Sequence, residues 1–232
     1  MHVSLCSVLA TFLAPSFPSV IAVTGAGGKT TAVCTLARYF REEGRKVLIS
    51  TTTKMQHPSS YDYGCTHVFF DDSVLGYKPK EGEICFFARE YEPGKVSAPS
   101  LETLAMAGAG YDVVLLEADG ARCLPLKLHT KRDPVIPSSC TAVLAVLGLS
   151  AVGQDRSSSC FGELGEGLVD MHYLQGLLDD PQGVCKGFSA QRRCMILANQ
   201  FESLEVTMQA RTRELHASAP LVFGSLHLDT IY

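Results

Sequence analysis

The chain has 232 residues, enough to bury one α/β core, and we expect a single domain over residues 1–232. Its 20 basic and 24 acidic residues give a net charge of -4, without a long Lys or Arg run, which argues against nucleic acid or an anionic membrane as a partner. The nine cysteines lack zinc-type spacing and no apolar run reaches membrane-spanning length, so we expect buried, reduced thiols in a cytoplasmic protein.

The N-terminal stretch, residues 1–17, is apolar but lacks the basic start of a signal peptide. Its apolar residues recur at helical spacing: Leu5, Val8, Leu9, Phe12 and Leu13. This pattern predicts a helix that covers the edge of a sheet.

A glycine-rich loop follows the predicted strand at residues 20–23 and precedes a helical pattern at 30–40 that stops before Gly44. Such a loop turns backbone N–H groups toward an anion, while Lys29 can bridge terminal phosphates and Thr30 can ligate Mg²⁺. The predicted nucleotide-binding residues of the loop are Gly25, Ala26, Gly27, Gly28, Lys29, Thr30 and Thr31. The expected cofactor is Mg²⁺ with ATP or GTP.

The loop departs from the full pattern G-x-x-x-x-G-K-[ST], because Val23 stands where that pattern has its first glycine. It follows the shorter form G-x-x-G-K-T-T, which resembles the ATP-binding loop of Mur-ligase-type enzymes. A dinucleotide loop fits less well, since Thr30 stands in place of the third glycine.

A predicted strand at 47–49 completes a strand, helix, strand unit, whose right-handed crossover implies parallel pairing. A helical segment is predicted at 204–217, and further strands at 67–70, 84–87, 113–116, 142–146, 195–198 and 221–223. This alternation predicts an α/β, three-layer, P-loop NTPase-like fold: a mostly parallel sheet with helices on both faces. Residues 58–98 hold two close strands around a polar turn, and we expect a small antiparallel excursion there.

Polar residues after each strand should lie where ligands bind in such a sheet. Thr52 is a candidate magnesium ligand, and Thr53 and Lys54 are candidate phosphate contacts, although a plain polar turn explains this cluster equally well.

The strand at 113–116 ends in two acids, Glu117 and Asp119, which project to one face of an extended backbone. Together with Lys29, they are the predicted catalytic residues. The two acids either hold the magnesium hydration shell, with Asp119 as a metal ligand, or orient an attacking water. Arg122 and Lys127 follow, and either neutralise a transferring phosphoryl group or are ordinary surface charges.

The strand at 195–198 leads into Asn199, Gln200 and Glu202, a degraded form of the guanine-reading N-K-x-D element. Asn199 is therefore a candidate base contact. Gln and Glu replace Lys and Asp of that element, so the choice between ATP and GTP stays open.

Five segments follow one another along the chain: the glycine loop, the Ser-Thr-Thr-Thr-Lys-Met run at 50–55, the Leu-Leu-Glu-Ala-Asp-Gly-Ala motif with Leu-Pro-Leu-Lys, the Asp-Pro-Val-Ile-Pro segment at 133–137 and the run at 146–149. Together with the late strand that ends in Asn199, they resemble the YqeC family over nearly the whole chain. The resemblance implies a nucleotide-binding accessory protein for maturation of selenium-dependent molybdenum hydroxylases. It also implies the hydroxylase, or its cofactor-assembly proteins, as a partner.

Two functions remain open at this point. The first is an NTPase or a phosphoryl-transfer or ligase-type enzyme. The second is a nucleotide-gated chaperone or binding module, in which the triphosphate orders residues 51–54 and hydrolysis is slow.

Overall fold

The computed structural model describes residues 4–232, which form a mixed α/β architecture around one large sheet. Its strands are β1 (Ser19–Gly25), β2 (Val47–Thr51), β3 (Lys54–Gln56), β4 (His67–Phe69), β5 (Ile84–Phe87), β6 (Arg89–Glu92), β7 (Lys95–Ser97), β8 (Val113–Glu117), β9 (Leu126–Lys127), β10 (Ala142–Gly148), β11 (Cys160–Phe161), β12 (Arg193–Asn199), β13 (Leu221–Ser225) and β14 (Thr230–Ile231). Its helices are α1 (Leu5–Leu13), α2 (Lys29–Glu42), α3 (Leu101–Gly108), α4 (Arg156–Ser159), α5 (Met171–Asp179) and α6 (Val206–Thr212).

The large sheet has nine strands in the order β14-β13-β12-β10-β1-β8-β2-β5-β4. Its neighbours pair in parallel, apart from β13 and β14 at one edge. The central strands β8 and β10 are buried at every position, and β1 at nearly every one. Continuous apolar runs are what a parallel sheet needs when both of its faces are covered.

Helices cover both faces of the sheet. Ile21 and Val23 of β1 face the layer that contains α1 and α2, whereas Ala22 faces the layer that contains α3. Helix α5 packs over the β10 and β12 half of the molecule. The predicted mostly parallel sheet with helices on both faces is therefore confirmed.

The region at 58–98 differs from the prediction. Strands β4 and β5 pair in parallel at the edge of the main sheet, because the long connection between them allows a crossover. The antiparallel excursion is instead a three-stranded sheet in the order β3-β7-β6. A tight turn with Gly94 at φ +79° joins its β6 and β7 strands.

Three other predicted features are corrected. Strands β1 and β2 are parallel but not adjacent, because β8 lies between them. Helix α1 lies mainly on the face of the sheet beside α2, because it buries one whole side there, and only its start reaches the edge, where the Leu5 N–H donates to the Asp229 carbonyl oxygen. The helix predicted at 204–217 is shorter and spans Val206–Thr212. Thr212 is its one buried residue, so tertiary packing does not stabilise further turns.

All nine cysteines are free, and Cys123, which is exposed, departs most from the predicted burial. Within residues 4–232, no helix has the length and apolarity to cross a membrane.

Candidate functional site

The glycine loop lies between β1 and α2, at the carboxyl end of the central strands. Gly25 and Gly27 have φ angles of +86° and +81°, in the left-handed region that favours glycine. A Cβ atom would lie 2.2 Å from the Val146 carbonyl oxygen at Gly25 and 2.3 Å from the Gly148 Cα atom at Gly27. Both positions therefore require glycine, because the loop is pressed against the end of β10.

Helix α2 begins without a side-chain cap. Gly28 is its N-cap residue and offers no side-chain acceptor, whereas Ser4, Ser100 and Asp170 cap α1, α3 and α5. The first N–H groups of a helix have no partner within the helix and carry partial positive charge. At α2 they are left available to an anion beside the loop.

Lys29 is the first residue of α2 and is buried. Its Nζ donates to the Gly25 carbonyl oxygen at 2.8 Å and lies 3.1 Å from Asp119 Oδ1. An ammonium group has three protons, so these two contacts leave one for a further acceptor.

Thr30 and Glu117 meet beside Lys29. The Thr30 hydroxyl donates to Glu117 Oε2 at 2.9 Å, which joins the first turn of α2 to the end of β8. Burial raises the pKa of Glu117, although the Lys29 charge and the Thr30 hydrogen bond act in the opposite direction.

Asp119 is fully buried and connects the loop to three basic side chains. Its Oδ2 accepts from the Gly25 N–H and from His129 Nε2, each at 2.8 Å, and lies 3.7 Å from Lys127 Nζ. Burial alone would raise the pKa of Asp119. The His129 hydrogen bond and the charges of Lys29 and Lys127 outweigh burial and hold that pKa below its usual value.

Lys127 and His129 extend this buried network away from the cavity. Lys127 Nζ contacts Asp133 and the Gly120 carbonyl oxygen, and His129 Nδ1 lies 2.9 Å from the Gly183 carbonyl oxygen. Both ring nitrogens of His129 face oxygen acceptors, so the ring makes both hydrogen bonds only when each nitrogen carries a proton. Sequence reasoning missed His129 and Asp133. The available signal was the alternation of Lys127 and His129 on an extended segment.

The predicted residues after β2 separate into two groups. The Thr52 hydroxyl donates to the Val135 carbonyl oxygen at 2.7 Å, and neither Thr52 nor Thr53 lines the cavity beside the loop. Lys54 does line it, and its Nζ contacts the Tyr91 hydroxyl. Arg122 also lines the cavity, with a positive φ of 49°.

Asn199 lies under the loop. Its Nδ2 donates to the Gly27 carbonyl oxygen at 2.9 Å, and its Oδ1 accepts from the Leu226 N–H at 3.0 Å. Both ends of the amide are thus bound to the main chain, so Asn199 holds the end of β12 against the loop. Gln200, its neighbour, lines the cavity.

The cavity beside the loop has a volume of about 680 Å³. Strands β2, β5 and β8 lie on one side of β1 in the sheet, and the later strands β10 and β12 lie on the other side. The cavity lies where the strand order changes direction, which is the usual place for a ligand in an open parallel sheet. It brings together Lys29, Thr30, Thr31, Glu117, Lys54 and Arg122. Its other polar lining was not predicted, and comprises Gln56, Ser60, Tyr61, Lys95, Cys123, Ser150 and Gln200.

Comparison with known proteins gives a family. The sequence model of the YqeC protein family matches residues 21–163, more than half of the chain, including the loop, both acids and Lys127. A curated relative from Escherichia coli (strain K12), named "Uncharacterized protein YqeC", is 33% identical over 204 residues, which cover 81% of this chain and 78% of the relative. The chain belongs to the YqeC family.

Proposed function

We propose that this protein is a Mg²⁺-dependent nucleoside-triphosphate-binding protein with a P-loop NTPase-like fold. The observation that carries the proposal is the junction of β1 and α2: a glycine loop, an uncapped helix start, and Lys29 and Thr30 each joined to an acid. This arrangement suits a polyphosphate, because main-chain N–H groups and one ammonium converge on one place.

The residues beside the loop fit Mg²⁺. Thr30 and Glu117 offer a hydroxyl and a carboxylate oxygen 2.9 Å apart at the cavity. Among residues 4–232 there is no cluster of three or more His, Cys, Asp or Glu side chains that could hold a metal. Mg²⁺ commonly takes one or two protein ligands and completes its octahedron with phosphate and water. Bound there, the ion would neutralise charge on the phosphates.

The two acids then have different roles. Asp119 orients Lys29 and the Gly25 N–H, so it acts as a positioning residue. Glu117 borders the cavity and is the candidate to hold the ion or to orient an attacking oxygen. Turnover of the triphosphate, by hydrolysis or by transfer, is the activity that this arrangement supports best.

A substitution at Lys29 tests the proposal. Lys29→Ala removes a charge-assisted contact worth roughly 1.5–3 kcal/mol, so affinity for Mg²⁺-ATP or Mg²⁺-GTP should fall by about 10- to 100-fold in isothermal titration calorimetry. Asp119 keeps His129 and Lys127 in this variant, so the fold should survive. Lys78→Ala, at an exposed position outside the cavity, is the matched control. Equal affinity of the Lys29 variant and the wild type for both nucleotides would refute the loop as the site.

A nucleotide-gated binding module is the second candidate, and one observation favours it. The Thr52 N–H and the Thr51 hydroxyl both donate to the Glu117 carbonyl oxygen, so the end of β8 is tied directly to the segment that leads into β3. A change at Glu117 on nucleotide binding could therefore reach the small antiparallel sheet. Partner capture that depends on the bound nucleotide, with slow hydrolysis, would support this reading over an enzyme with rapid turnover.

The pathway that the motif resemblance implies is a separate proposal. We propose an accessory role in maturation of selenium-dependent molybdenum hydroxylases, with the hydroxylase or its assembly proteins as partner. Deletion of the gene should lower the specific activity of such a hydroxylase, and only the gene with an intact Lys29 codon should restore it. Unchanged hydroxylase activity in the deletion strain would refute this role.

A further inference from the structure

The cavity extends well beyond the glycine loop. On the β10 and β12 side it is lined by Ser150 and Gln200, and on the β8 and β2 side by Lys54 and Gln56 of β3 and Lys95 of β7. The loop and Lys29 lie between these two ends. A ligand on the loop would therefore leave a second compartment, the part of the cavity that is lined by the small antiparallel sheet.

The charge of the cavity opposes the charge of the chain. The whole protein has a net charge of -4, yet the lining contains the four cations Lys29, Lys54, Lys95 and Arg122 and the single acid Glu117. Lys29 and Glu117 belong to the loop and its metal site. Three cations are left in excess, and concentrated positive charge in a cleft attracts an anion.

None of these three cations is neutralised by a strong partner. Lys54 contacts the hydroxyl and the ring of Tyr91, which are neutral. Arg122 forms no ion pair within residues 4–232 and lies over the Phe161 ring. Lys95 pairs with Glu92 at 3.2 Å, but both side chains are about half exposed, and such surface pairs contribute little.

We propose that this cavity binds a second substrate, a small anion that bears a phosphate or a carboxylate, attracted by the cations Lys54 and Lys95 of the small antiparallel sheet and by Arg122. The inference rests on the proposed nucleotide site and deepens it, because an anion bound in the same cavity as a triphosphate suits the co-substrate of a transferase or ligase. Gln56 and Tyr61 add neutral hydrogen-bonding groups to the same wall, which suits a polar molecule larger than a bare ion.

The test uses the full-length protein saturated with Mg²⁺ and the β,γ-imido analogue of ATP or GTP, so that the loop is filled. Inorganic phosphate and succinate are then titrated separately at constant ionic strength by calorimetry. We expect saturable binding of at least one of them, and the tighter of the two identifies the anionic group.

The variants locate the anion. The double substitution Lys54→Gln and Lys95→Gln should weaken anion binding by about tenfold or more, and Arg122→Gln should weaken it similarly, because each removes a charge-assisted contact. Lys78→Gln should match the wild type. Affinity for the nucleotide analogue should equal that of the wild type in Lys78→Gln, and in the other variants it should fall less than the affinity for the anion, since Lys29 and Thr30 are intact.

The contrary outcomes are distinct. Binding of the analogue without saturable binding of either anion overturns the second compartment and leaves the nucleotide site standing. Anion binding only when the analogue is absent, or unchanged by the three substitutions, overturns it as well. Failure of the analogue to bind the wild type refutes the proposed function itself, and this inference with it.

Discussion

Asp119 is the residue at which the loop, Lys29 and the buried basic side chains converge. It is inaccessible to solvent, and its two oxygens are shared among one main-chain N–H, two ammonium groups and an imidazole. A buried carboxylate is tolerated only when such partners replace water. Removal of its charge should therefore affect stability as well as the shape of the loop.

Asp119→Asn should lower the free energy of unfolding by about 3–5 kcal/mol at neutral pH, because it leaves buried cations without their counter-charge. An acid whose pKa is lower in the folded chain stabilises the fold above its unfolded pKa, about 3.9, and that contribution is lost only as pH falls through the lower folded pKa. In urea unfolding, the gap between variant and wild type should not narrow from about pH 8 to about pH 5. A gap that closes in that range would contradict the lowered pKa of Asp119.

Glu117→Gln tests the other acid. Glutamine can still accept the Thr30 hydrogen bond but lacks the charge that a metal or an attacking oxygen requires. We expect turnover to fall by about 10²- to 10⁴-fold, with a higher Mg²⁺ requirement and little effect on folding. Glu214→Gln, at an exposed position remote from the cavity, is the control for steady-state kinetics. Wild-type turnover and Mg²⁺ dependence in the Glu117 variant would remove Glu117 from the mechanism.

At the scale of elements, α1 supports the site without contacting it. Its buried side, with Leu5, Leu9 and Leu13 fully inaccessible, packs on α2 and on strands β10 and β12. Helix α2 in turn carries Lys29 and Thr30 at its first turn. The packing of α1 thus stabilises the helix whose start forms part of the candidate site.

Leu9→Ala should reduce the free energy of unfolding by about 2–5 kcal/mol, because it leaves a cavity in a fully buried layer. Thr11→Ala, at an exposed position of the same helix, should have little effect. Below the melting temperature of the variant, the affinity for nucleotide should equal that of the wild type. A Leu9 variant as stable as the Thr11 control would show that α1 does not contribute to this core.

The elements show what periodicity can predict. Continuous apolar runs predict strands β1, β8, β10 and β12, and a helical pattern with a stop at Gly44 predicts helix α2. These elements are predictable because the local pattern of apolar residues indicates which side chains are buried. The insertion of β8 between β1 and β2, and the parallel pairing of β4 with β5, depend on contacts between distant segments, which no local pattern records. The length of α6 also depends on contacts with distant segments, and the helix is short because these contacts bury only Thr212.

The predicted site residues divide in the same way. The loop, Glu117 and Lys54 lie at the cavity because sequence adjacency to a strand end determines their position. Thr52 and Lys127 share such a position, but their partners, Val135 and Asp133, come from segments whose approach the sequence does not reveal. Lys95 and Asp133 were missed because each reaches its place only through tertiary folding, whereas the alternation of Lys127 and His129 gave a local signal for His129.

At the scale of the whole molecule, the candidate site joins parts of the chain that are far apart in sequence. The loop contacts Val146 and Asn199, while Glu117 and Asp119 contact the loop from the other side. A ligand at this place interacts with groups that come together only in the folded state. Its binding should therefore stabilise the entire fold.

The direct measurement is the free energy of unfolding as a function of Mg²⁺-ATP and Mg²⁺-GTP concentration. A ligand that binds only the folded state should raise it by about 2.7 kcal/mol at 100 times its dissociation constant, and the increase should continue logarithmically with concentration. We predict this increase for at least one of the two nucleotides in the wild type and in Lys78→Ala, and a much smaller one in Lys29→Ala. An unfolding free energy that neither nucleotide changes in the wild type, up to millimolar concentration with Mg²⁺ present, would contradict the proposed nucleotide site.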